Sequence, residues 1–406
     1  MNKKPLKKNT IIKLLKKVNK LNLDKEKIIL ENSIGRFLDQ DLISKVNLPP
    51  FNNSAVDGYA LLKYDILKKN INFQCFQRIT AGGIFPKKIK KNEAVRVFTG
   101  APMPANSKTV VMQENVIKKN NKIILKKIPN YGENCRLAGE DISIGKKICS
   151  NGDQITSTNV NLLAAIGKTK IIAKKKIKIG FFTSGNELKK PSENLKGSAI
   201  NNSNYYSLFA LLSQPYIDSQ YLGLMKDKEE NIKKLLLKNI DNHNVIITTG
   251  GASVGEEDYL VKSVFELGEV FFWKTAIKPG RPLSIGKIKD TIIICLPGNP
   301  VSVHLLYGMI IKPFIEYLCT GRLIFPKGIL VKVNFNMQKK NNRLEWLRVK
   351  IKYQNHNFYV SKFSKQGSGM ISSMAFADGI IEIPEEISNI KKNDSFYFYS
   401  FESLYR

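Results

Sequence analysis

The stretch Thr291-Ile-Ile-Ile-Cys-Leu-Pro-Gly-Asn-Pro300 decides the fold class of this 406-residue chain. It begins as a continuous apolar run, passes into a Gly-containing loop and is followed by a helical pattern over residues 301–317. An apolar run of roughly four to eight residues without polar alternation is typical of a strand that is buried on both faces. The order of strand, loop and helix therefore predicts one unit of a parallel α/β sheet.

Two further apolar runs, at 177–182 and 244–248, pass into Gly-containing loops in the same way. These loops are Thr183-Ser-Gly-Asn-Glu-Leu188 and Thr249-Gly-Gly-Ala-Ser-Val-Gly255. Helix-like segments lie between and after the strands, for example at 229–239. Alternating strands and helices predict a doubly wound, open and mostly parallel sheet, which is a three-layer α/β domain.

The rest of the chain divides by pattern into helical and β segments. Apolar residues recur at helical spacing within residues 1–45 and again within 157–166, where the run ends at Gly167 in a C-cap position. Elsewhere, short apolar runs separated by turn residues predict β structure, with a small β-barrel or sandwich at the C-terminus. We therefore predict a split helical domain (1–45 with 147–176), an inserted β domain (46–146), an α/β domain (177–326) and a C-terminal β-barrel-like domain (327–406).

The formal charge of +31 suggests a nucleic-acid partner, because basic side chains neutralise phosphates. Only 9 of the 65 basic residues are Arg, however, and Lys occurs with abundant Asn and Ile throughout the chain. Specific readers of phosphates and bases use Arg more heavily, for its bidentate fork. The composition therefore favours a solvated lysine surface over dedicated nucleic-acid binding, although that surface would attract small anions.

Cysteine usage and hydropathy limit the cellular compartments in which the protein is expected. Five cysteines at irregular spacing form neither a disulfide framework nor a CxxC metal site, and the presence of only three histidines argues against a zinc site. No apolar run approaches the roughly 20 residues that a membrane-spanning helix needs. Lysines interrupt the apolar residues near the N-terminus, unlike the pattern of a signal peptide. We expect a cytoplasmic protein in a reduced compartment, with no membrane or nucleic-acid partner.

The three Gly-containing loops are expected to meet, since ligands of open parallel sheets bind beyond the carboxyl ends of the strands. Gly250, Gly251 and Gly255 would let the backbone approach a ligand closely, Ser253 would add a hydroxyl donor, and Asn299 is a candidate N-cap. Exposed amides and a helix N-terminus suit a phosphate. One such loop alone would indicate only a tight turn, whereas three on one edge predict a crevice for an anionic ligand.

Acidic residues are scarce, and several lie in or beside Gly-containing loops. Carboxylates next to a phosphate or an oxyanion can hold Mg²⁺, orient water, or act as acid or base. Lys274, Lys278 and Arg281, around a Pro-Gly-Arg-Pro turn, would supply the complementary positive charge. The acidic residues concerned are Asp57, Glu140, Asp141, Glu187, Glu256, Glu257 and Asp258.

Three loop segments have distinctive sequences, Pro49-Pro-Phe-Asn-Asn-Ser-Ala-Val-Asp-Gly-Tyr-Ala60, Phe98-Thr-Gly-Ala-Pro-Met-Pro104 and Arg136-Leu-Ala-Gly-Glu-Asp-Ile142. They resemble signature motifs of the molybdopterin molybdenumtransferase (MoeA) family. The loops at 183, 249 and 297 and the segment Lys278-Pro-Gly-Arg-Pro282 match the same family in the same order. The resemblance runs from about Ile28 to the C-terminal β segments and covers nearly the whole chain.

The departures from the family pattern are small. Val56 stands where the family usually has Met, which is a conservative apolar change. Ser184 and Asn186 replace the commoner Thr and Asp, so that a metal role in this loop would depend on Glu187 alone.

The resemblance implies a four-domain subunit that acts as a homodimer, with the split helical domain in dimerisation. It implies an enzyme that inserts molybdenum from molybdate into adenylated molybdopterin, with Mg²⁺-dependent cleavage of the phosphoanhydride and release of AMP. In this family the cleft is completed across the dimer, so Asp57 and Asp141 are expected to face the α/β crevice of the partner subunit. A molybdopterin adenylyltransferase and molybdoenzymes are expected as protein partners.

The resemblance also implies roles for individual residues. The expected catalytic residues are Asp57, Asp141, Glu187, Asp258, Lys274 and Lys278. The expected Mg²⁺ ligands are Glu187, Asp227 and Asp258. The expected substrate-binding residues are Ser54, Thr99, Gly100, Arg136, Thr183, Ser184, Gly185, Gly250, Gly251, Ser253, Gly255, Arg281, Pro297, Gly298 and Asn299.

Three other functions stay open. The α/β domain also resembles a molybdopterin adenylyltransferase, although the additional domains at 46–146 and 327–406 argue against that activity. A non-catalytic scaffold is the second alternative, because related domains in animals organise receptors, and the full set of acidic and basic loop residues weighs against it. The third, a nucleic-acid binder, rests on charge alone.

Overall fold

The computed structural model of the chain describes residues 4–226, 229–250, 259–340 and 343–405. They fold into two compact units. The larger unit consists of Met1–Glu26, Gly35–Asp39 and Ile172–Arg406, and the smaller unit consists of Lys27–Ile34 and Gln40–Ile171. The division into four domains is finer than this and stays a prediction.

The larger unit is built around a six-stranded sheet. The first four strands in spatial order are parallel to one another, which confirms a mostly parallel sheet. The fifth strand, Ser284–Ile288, pairs antiparallel with both of its neighbours. Every residue of the two central strands is buried, as their unbroken apolar sequences predict. The strands in spatial order are Ile217–Met225, Ile177–Ser184, Val245–Thr249, Thr291–Leu296, Ser284–Ile288 and Glu269–Trp273.

Apolar side chains cover both faces of this sheet. Phe181 and Ile294 belong to one core cluster, whereas their chain neighbours Phe182 and Ile293 belong to another. Successive side chains of a strand point to opposite faces, so the sheet lies between two layers, which confirms the predicted three-layer arrangement. The helices of this unit are Lys8–Leu15, Ser203–Leu211, Glu229–Asn239, Tyr259–Leu267, Pro300–Thr320, Ser372–Phe376 and Phe401–Tyr405.

The helix Pro300–Thr320 is longer than the predicted segment 301–317 and contains a π-helical turn at Tyr307–Ile311. By length and composition alone it could cross a membrane, but 78% of its most apolar window is buried inside the protein. Gly321, with a φ of 77°, ends it. A helix buried to this extent is a core helix of the α/β domain.

The C-terminal β segments close into a five-stranded barrel, which confirms the predicted barrel-like domain. Closure follows because Leu344–Gln354 pairs with strands on both of its sides, Asn357–Lys362 and Gly379–Ile383. Val349, Val360 and Ile381 belong to its interior cluster. The strands in order around the barrel are Leu344–Gln354, Asn357–Lys362, Ile329–Val333, Ser395–Ser400 and Gly379–Ile383, and Ile277–Lys278 pairs beside the first.

The smaller unit contains the predicted β module, which is a six-stranded sheet with the short helix Lys63–Leu67 at one connection. The predicted helix is present as Ser157–Ala165. The Thr156 side chain accepts a hydrogen bond from the Asn159 amide at its start, and Gly167 follows its end with a φ of 77°. The strands in spatial order are Ser107–Met112, Gly58–Leu62, Glu93–Val97, Asn72–Ile79, Lys122–Leu125 and Val116–Lys119.

The prediction of helical structure through residues 16–45 is wrong. Lys25–Ile29 is a strand and Leu30–Asn32 is a single 3-10 turn, which the Ser33 hydroxyl closes with a 2.6 Å hydrogen bond to the Leu30 carbonyl. Gly35 has a φ of 76°, and a Cβ atom at this position would lie 2.6 Å from Cγ of Pro215. The apolar residues at helical spacing therefore belong to separate short segments that are interrupted at a glycine.

Candidate functional site

The three Gly-containing loops meet at the carboxyl edge of the parallel sheet. Thr183 is the penultimate residue of its strand and Thr249 is the last residue of its own strand. The two are register partners in neighbouring strands. A Cβ atom built on Gly250 would lie 2.3 Å from the carbonyl oxygen of Ser184, and one built on Gly298 would lie 3.6 Å from Cα of Gly250. Main chain from all three loops therefore lies in direct proximity at this edge, and we call Ser184, Gly250 and Gly298 the main-chain floor.

Gly250 occupies a backbone conformation that favours glycine, with a φ of 83°. Its amide donates a 3.2 Å hydrogen bond to the carbonyl of Leu296, which joins the second loop to the end of the third strand. The close approach of Ser184 excludes any side chain at position 250 without movement of one of the two loops.

Two asparagines at the start of helix Ser203–Leu211 hold the first and third loops. The Asn202 side chain caps the helix by accepting from the Tyr205 amide, and its Nδ2 donates to the Thr183 hydroxyl at 2.8 Å. Asn204 Nδ2 donates a 2.7 Å hydrogen bond to the Gly298 carbonyl. Neither residue is among those predicted from the sequence. The N-cap pattern was readable from the sequence, but the partner loops depend on the order of the strands.

Buried polar atoms lie in this region without partners in the described part of the chain. They include Thr249 Oγ1 and Asn204 Oδ1, and both residues are nearly inaccessible to solvent. An unpaired buried polar atom costs roughly 1–3 kcal/mol, so natural proteins pair nearly all of them. These two atoms are suited to hydrogen bonding with a ligand.

Glu187 lies over the first loop. Both of its carboxylate oxygens would be 2.7 Å from a Cβ atom built on Gly185, and the side chain forms no ion pair within the described residues. Mg²⁺ in phosphate-processing sites is held by one or two carboxylates together with substrate phosphates, so an accessible carboxylate at this place fits such an ion. No three His, Cys, Asp or Glu side chains come together as metal ligands within the described ranges.

A cavity of about 270 Å³ lies beside the third loop, between the α/β domain and the barrel. Lys278, Arg281, Pro297 and Asn299 line it from the predicted set. Asn299 is also the N-cap residue of the long helix, with Pro300 in its first turn, although its side chain makes no capping hydrogen bond. Residues of the C-terminal segment complete the lining and were not predicted from the sequence, among them Arg343, Arg348, Gln366 and Ser368.

The charged groups of this cavity differ in their exposure to solvent. Lys278 Nζ is 2.7 Å from Glu345 Oε1, and the glutamate side chain is only 8% exposed whereas the lysine is 60% exposed. Arg348 is fully buried, and this burial lowers its pKa to about 10. Its guanidinium donates to Ser373 Oγ and to the carbonyls of Trp346 and Gly367. Arg348 thus shapes the wall, while Lys278 and Arg281 present accessible charge.

Lys274 is not among the residues that line this cavity. It has a φ of 71°, and its Nζ lies 3.8 Å from the ring centroid of its neighbour Trp273. The ammonium group is therefore in cation–π contact.

The smaller unit brings Ser54, Asp57, Thr99 and Gly100 together. Asp57 Oδ1 accepts from the Thr99 amide at 2.8 Å and from the Thr99 hydroxyl at 3.0 Å. These two hydrogen bonds hold the pKa of the Asp57 carboxyl below its ordinary value. The Gly100 amide donates to the Ser54 carbonyl at 2.8 Å. Asp57 is consequently a fixed, half-buried carboxylate that stays ionised at neutral pH.

Arg136 and Asp141 lie in the following segment of the smaller unit, and both are exposed. Arg136 is the register partner of Asn53, so the strand Cys135–Arg136 lies directly against the segment that carries Ser54. The main chain of Asp141 is fixed by a hydrogen bond from its amide to the Leu48 carbonyl at 3.1 Å. Five predicted site residues lie outside the described residues: Asp227, Gly251, Ser253, Gly255 and Asp258.

Comparisons with known proteins match the chain along its length. Residues 7–167 match the family described as the MoeA N-terminal region (domain I and II), residues 180–317 the probable molybdopterin binding domain, and residues 331–401 the MoeA C-terminal region (domain IV). The chain is 30% identical to a molybdopterin molybdenumtransferase of Haemophilus influenzae, over 93% of this chain and 94% of that one. It is 29% identical to one of Staphylococcus epidermidis, over 88% and 86%.

The fold also matches a solved structure over nearly the whole chain. The fold is similar to the crystal structure of a molybdopterin biosynthesis MoeA protein from Pyrococcus horikoshii, with a TM-score of 0.83 and 27% identity. The likeness covers 97% of this chain and 99% of that chain.

Proposed function

Because this chain belongs to the molybdopterin molybdenumtransferase (MoeA) family, we propose that it inserts molybdenum from molybdate into adenylated molybdopterin, with cleavage of the phosphoanhydride and release of AMP. The chain is a transferase of molybdenum cofactor biosynthesis. The observation that carries the finer proposal is the main-chain floor formed by Ser184, Gly250 and Gly298 at the carboxyl edge of the sheet. Peptide groups at such an edge suit a phosphate-containing ligand.

The reaction requires stabilisation of negative charge. The phosphoanhydride and molybdate are both oxyanions, and Lys278 and Arg281 supply accessible positive charge beside the third loop. Hydrolysis of the anhydride consumes one water and yields AMP and the phosphate of the pterin. The two thiols of the pterin bind molybdenum as one oxygen of molybdate leaves as water with the two thiol protons. Glu187 is positioned to hold Mg²⁺, which when bound would neutralise charge on the phosphates. Asp258 and Asp227 are proposed as its further ligands.

Asp57 and Asp141 are proposed to act on the crevice of the partner subunit in a homodimer. The Thr99 hydrogen bonds that fix Asp57 suit a group that orients water or substrate rather than one that must move. We test this by mixing Asp57→Ala with Lys278→Ala under conditions of subunit exchange. A shared site gives one intact site in each mixed dimer, and about one quarter of wild-type activity should return. No recovery in proven mixed dimers would contradict sharing.

The decisive experiment uses the purified full chain with adenylated metal-free molybdopterin, Mg²⁺ and molybdate, and measures AMP. We expect AMP release that depends on all three and that is lost in Asp258→Ala. Lys127→Gln should release AMP at the wild-type rate, because Lys127 is an exposed lysine of the smaller unit. Absence of AMP release from the wild-type chain would overturn the proposed reaction. Normal release from Asp258→Ala would overturn the assignment of that residue.

The adenylyltransferase alternative is separated by a second reaction, with ATP and metal-free molybdopterin but without molybdate. Formation of the adenylate would support that activity instead. A protein that stays folded and neither forms nor cleaves the adenylate would support the scaffold alternative. Protein partners of the pathway and a cytoplasmic location are proposed with the function and rest on it alone.

A further inference from the structure

Two of the nine arginines in this chain contact the same aromatic ring. Arg78 Cζ lies 4.9 Å and Arg96 Cζ lies 4.7 Å from the ring centroid of Phe98. Lysine dominates the basic residues, so the placement of arginine is informative. The planar guanidinium of arginine stacks on aromatic rings and binds tetrahedral oxyanions through two parallel hydrogen bonds, which an ammonium group cannot do.

The sheet of the smaller unit brings the two arginines to one face, next to the same ring. Arg78 and Arg96 are register partners in the parallel strands Asn72–Ile79 and Glu93–Val97, so their side chains leave the same face. On the other side of Arg96 its register partner is Tyr59, whose ring centroid is 5.0 Å from the guanidinium carbon.

Nothing in the described residues neutralises this pair through an ion pair. Arg96 donates to the Gly58 carbonyl at 3.3 Å and to Gln113 Oε1, which are uncharged acceptors. Like charges on directly opposite residues destabilise a sheet. The rings of Phe98 and Tyr59 offset part of that cost by cation–π contact. An anion between the two guanidinium groups would offset the remainder.

The pair lies next to predicted site residues. Thr99 follows Phe98 directly, and its amide and hydroxyl hold the Asp57 carboxylate. Both hydrogen bonds go to one oxygen of Asp57, and this carboxylate is close enough to Arg96 for attraction but forms no direct ion pair with it. Two positive charges beside one carboxylate leave a net positive charge at this place.

We propose that Arg78 and Arg96, held by Phe98, form a binding site for a tetrahedral oxyanion, either a phosphate group or molybdate. The site lies within the smaller unit and does not require the proposed reaction. Arg78 is exposed and Arg96 is half-buried, so Arg78 is the accessible arm and Arg96 the fixed one.

The first test measures the reaction of phenylglyoxal with individual arginines by mass spectrometry of peptides from the full chain. Pyrophosphate or molybdate should slow modification of Arg78 by a factor that rises with anion concentration, to about tenfold at roughly nine times the dissociation constant, because only the unoccupied site reacts. Arg322, exposed in the larger unit, should be unaffected. Protection by pyrophosphate alone assigns the site to phosphate groups, and protection by molybdate alone assigns it to the metal oxyanion. Equal rates at Arg78 with and without both anions would overturn the site.

The second test separates binding from folding. Phe98→Leu keeps both charges but removes the ring, and should weaken anion protection of Arg78 while the thermal unfolding midpoint stays close to that of the wild type. Arg96→Gln should abolish protection of Arg78, whereas Lys127→Gln, which removes one exposed charge of the same unit, should not. Protection that survives Arg96→Gln in a folded protein would contradict the site, whether or not the wild-type chain releases AMP.

Discussion

The side-chain amide of Asn204 donates a 2.7 Å hydrogen bond to the main-chain carbonyl of Gly298. This bond ties the start of one helix to the third loop of the crevice, while Asn202 ties it to the first through Thr183. The spacing of the two loops is therefore set by a helix that neither loop belongs to. Residues such as Asn204 act by positioning the main chain that would touch the substrate.

Asn204→Ala should lower the rate of AMP release more than it lowers stability. Loss of the bond frees the third loop and costs about 1 kcal/mol in the free energy of unfolding. Asn239→Ala is the matched control, because Asn239 Nδ2 donates a similar 2.8 Å hydrogen bond to the Leu235 carbonyl in a helix away from the loops. Chemical denaturation and AMP assays should show similar stability losses but a fall in kcat only for Asn204→Ala. Equal kcat values for the two variants would contradict a positioning role.

Gly250→Ala should damage the crevice beyond the cost of its backbone conformation. The new Cβ atom would collide with the Ser184 carbonyl oxygen at 2.3 Å, so one loop must move. Gly167→Ala is the control, since Gly167 has a similar φ of 77° but no atom within 4 Å of the added Cβ. Both variants pay about 1–2 kcal/mol for the left-handed conformation. Only Gly250→Ala should also weaken binding of pyrophosphate in calorimetry, and unchanged binding would show that the floor tolerates displacement.

Lys278 and Glu345 should have separable roles in structure and activity. Lys278→Ala leaves the nearly buried Glu345 carboxylate without its partner, which should cost on the order of 1–3 kcal/mol of stability. The double variant Lys278→Met with Glu345→Gln removes the charge as well and should recover most of that stability. AMP release should stay low in both variants, because the accessible cation is missing. Recovery of activity in the double variant would mean that Lys278 only supports the fold.

Thr99→Val should raise the pKa of the Asp57 carboxyl. The Thr99 amide and hydroxyl both stabilise the ionised form, and the substitution removes the hydroxyl. A carboxyl whose pKa is lowered by folding adds stability that is present above the unfolded-state pKa and is lost as the pH falls through the folded-state value. The variant should therefore lose stability less steeply in acid than the wild type. Titration of Asp57 by NMR would contradict the assignment if its pKa did not change.

The sequence predicts the α/β domain well because its strands are unbroken apolar runs that can only be buried. Thr291–Leu296 begins and ends as its composition indicates. The helical prediction for the N-terminal segment failed because periodicity depends only on the spacing of apolar residues. Gly35 and its contact with Pro215 decide the path of the chain there. Periodicity carries no information about a contact across 180 positions of sequence.

The candidate site was predictable where residue type alone limits the chemistry. Glycines and scarce carboxylates in loops pointed to Gly250, Gly298 and Glu187. Arg348 and Asn204 were not found, because an arginine inside a strand and an asparagine inside a helix look ordinary until the fold brings them to the loops. Their partners are main-chain carbonyls, which no sequence pattern marks.

The main-chain floor at Ser184, Gly250 and Gly298 has a consequence for how this protein tolerates compositional drift. A chain can exchange arginine for lysine and leucine for isoleucine over most of its surface and core without changing the peptide groups at three turns. Within the floor, only the glycines at these turns then have to resist such exchange. A ligand contact made by peptide groups can therefore persist while the composition of the surrounding side chains changes.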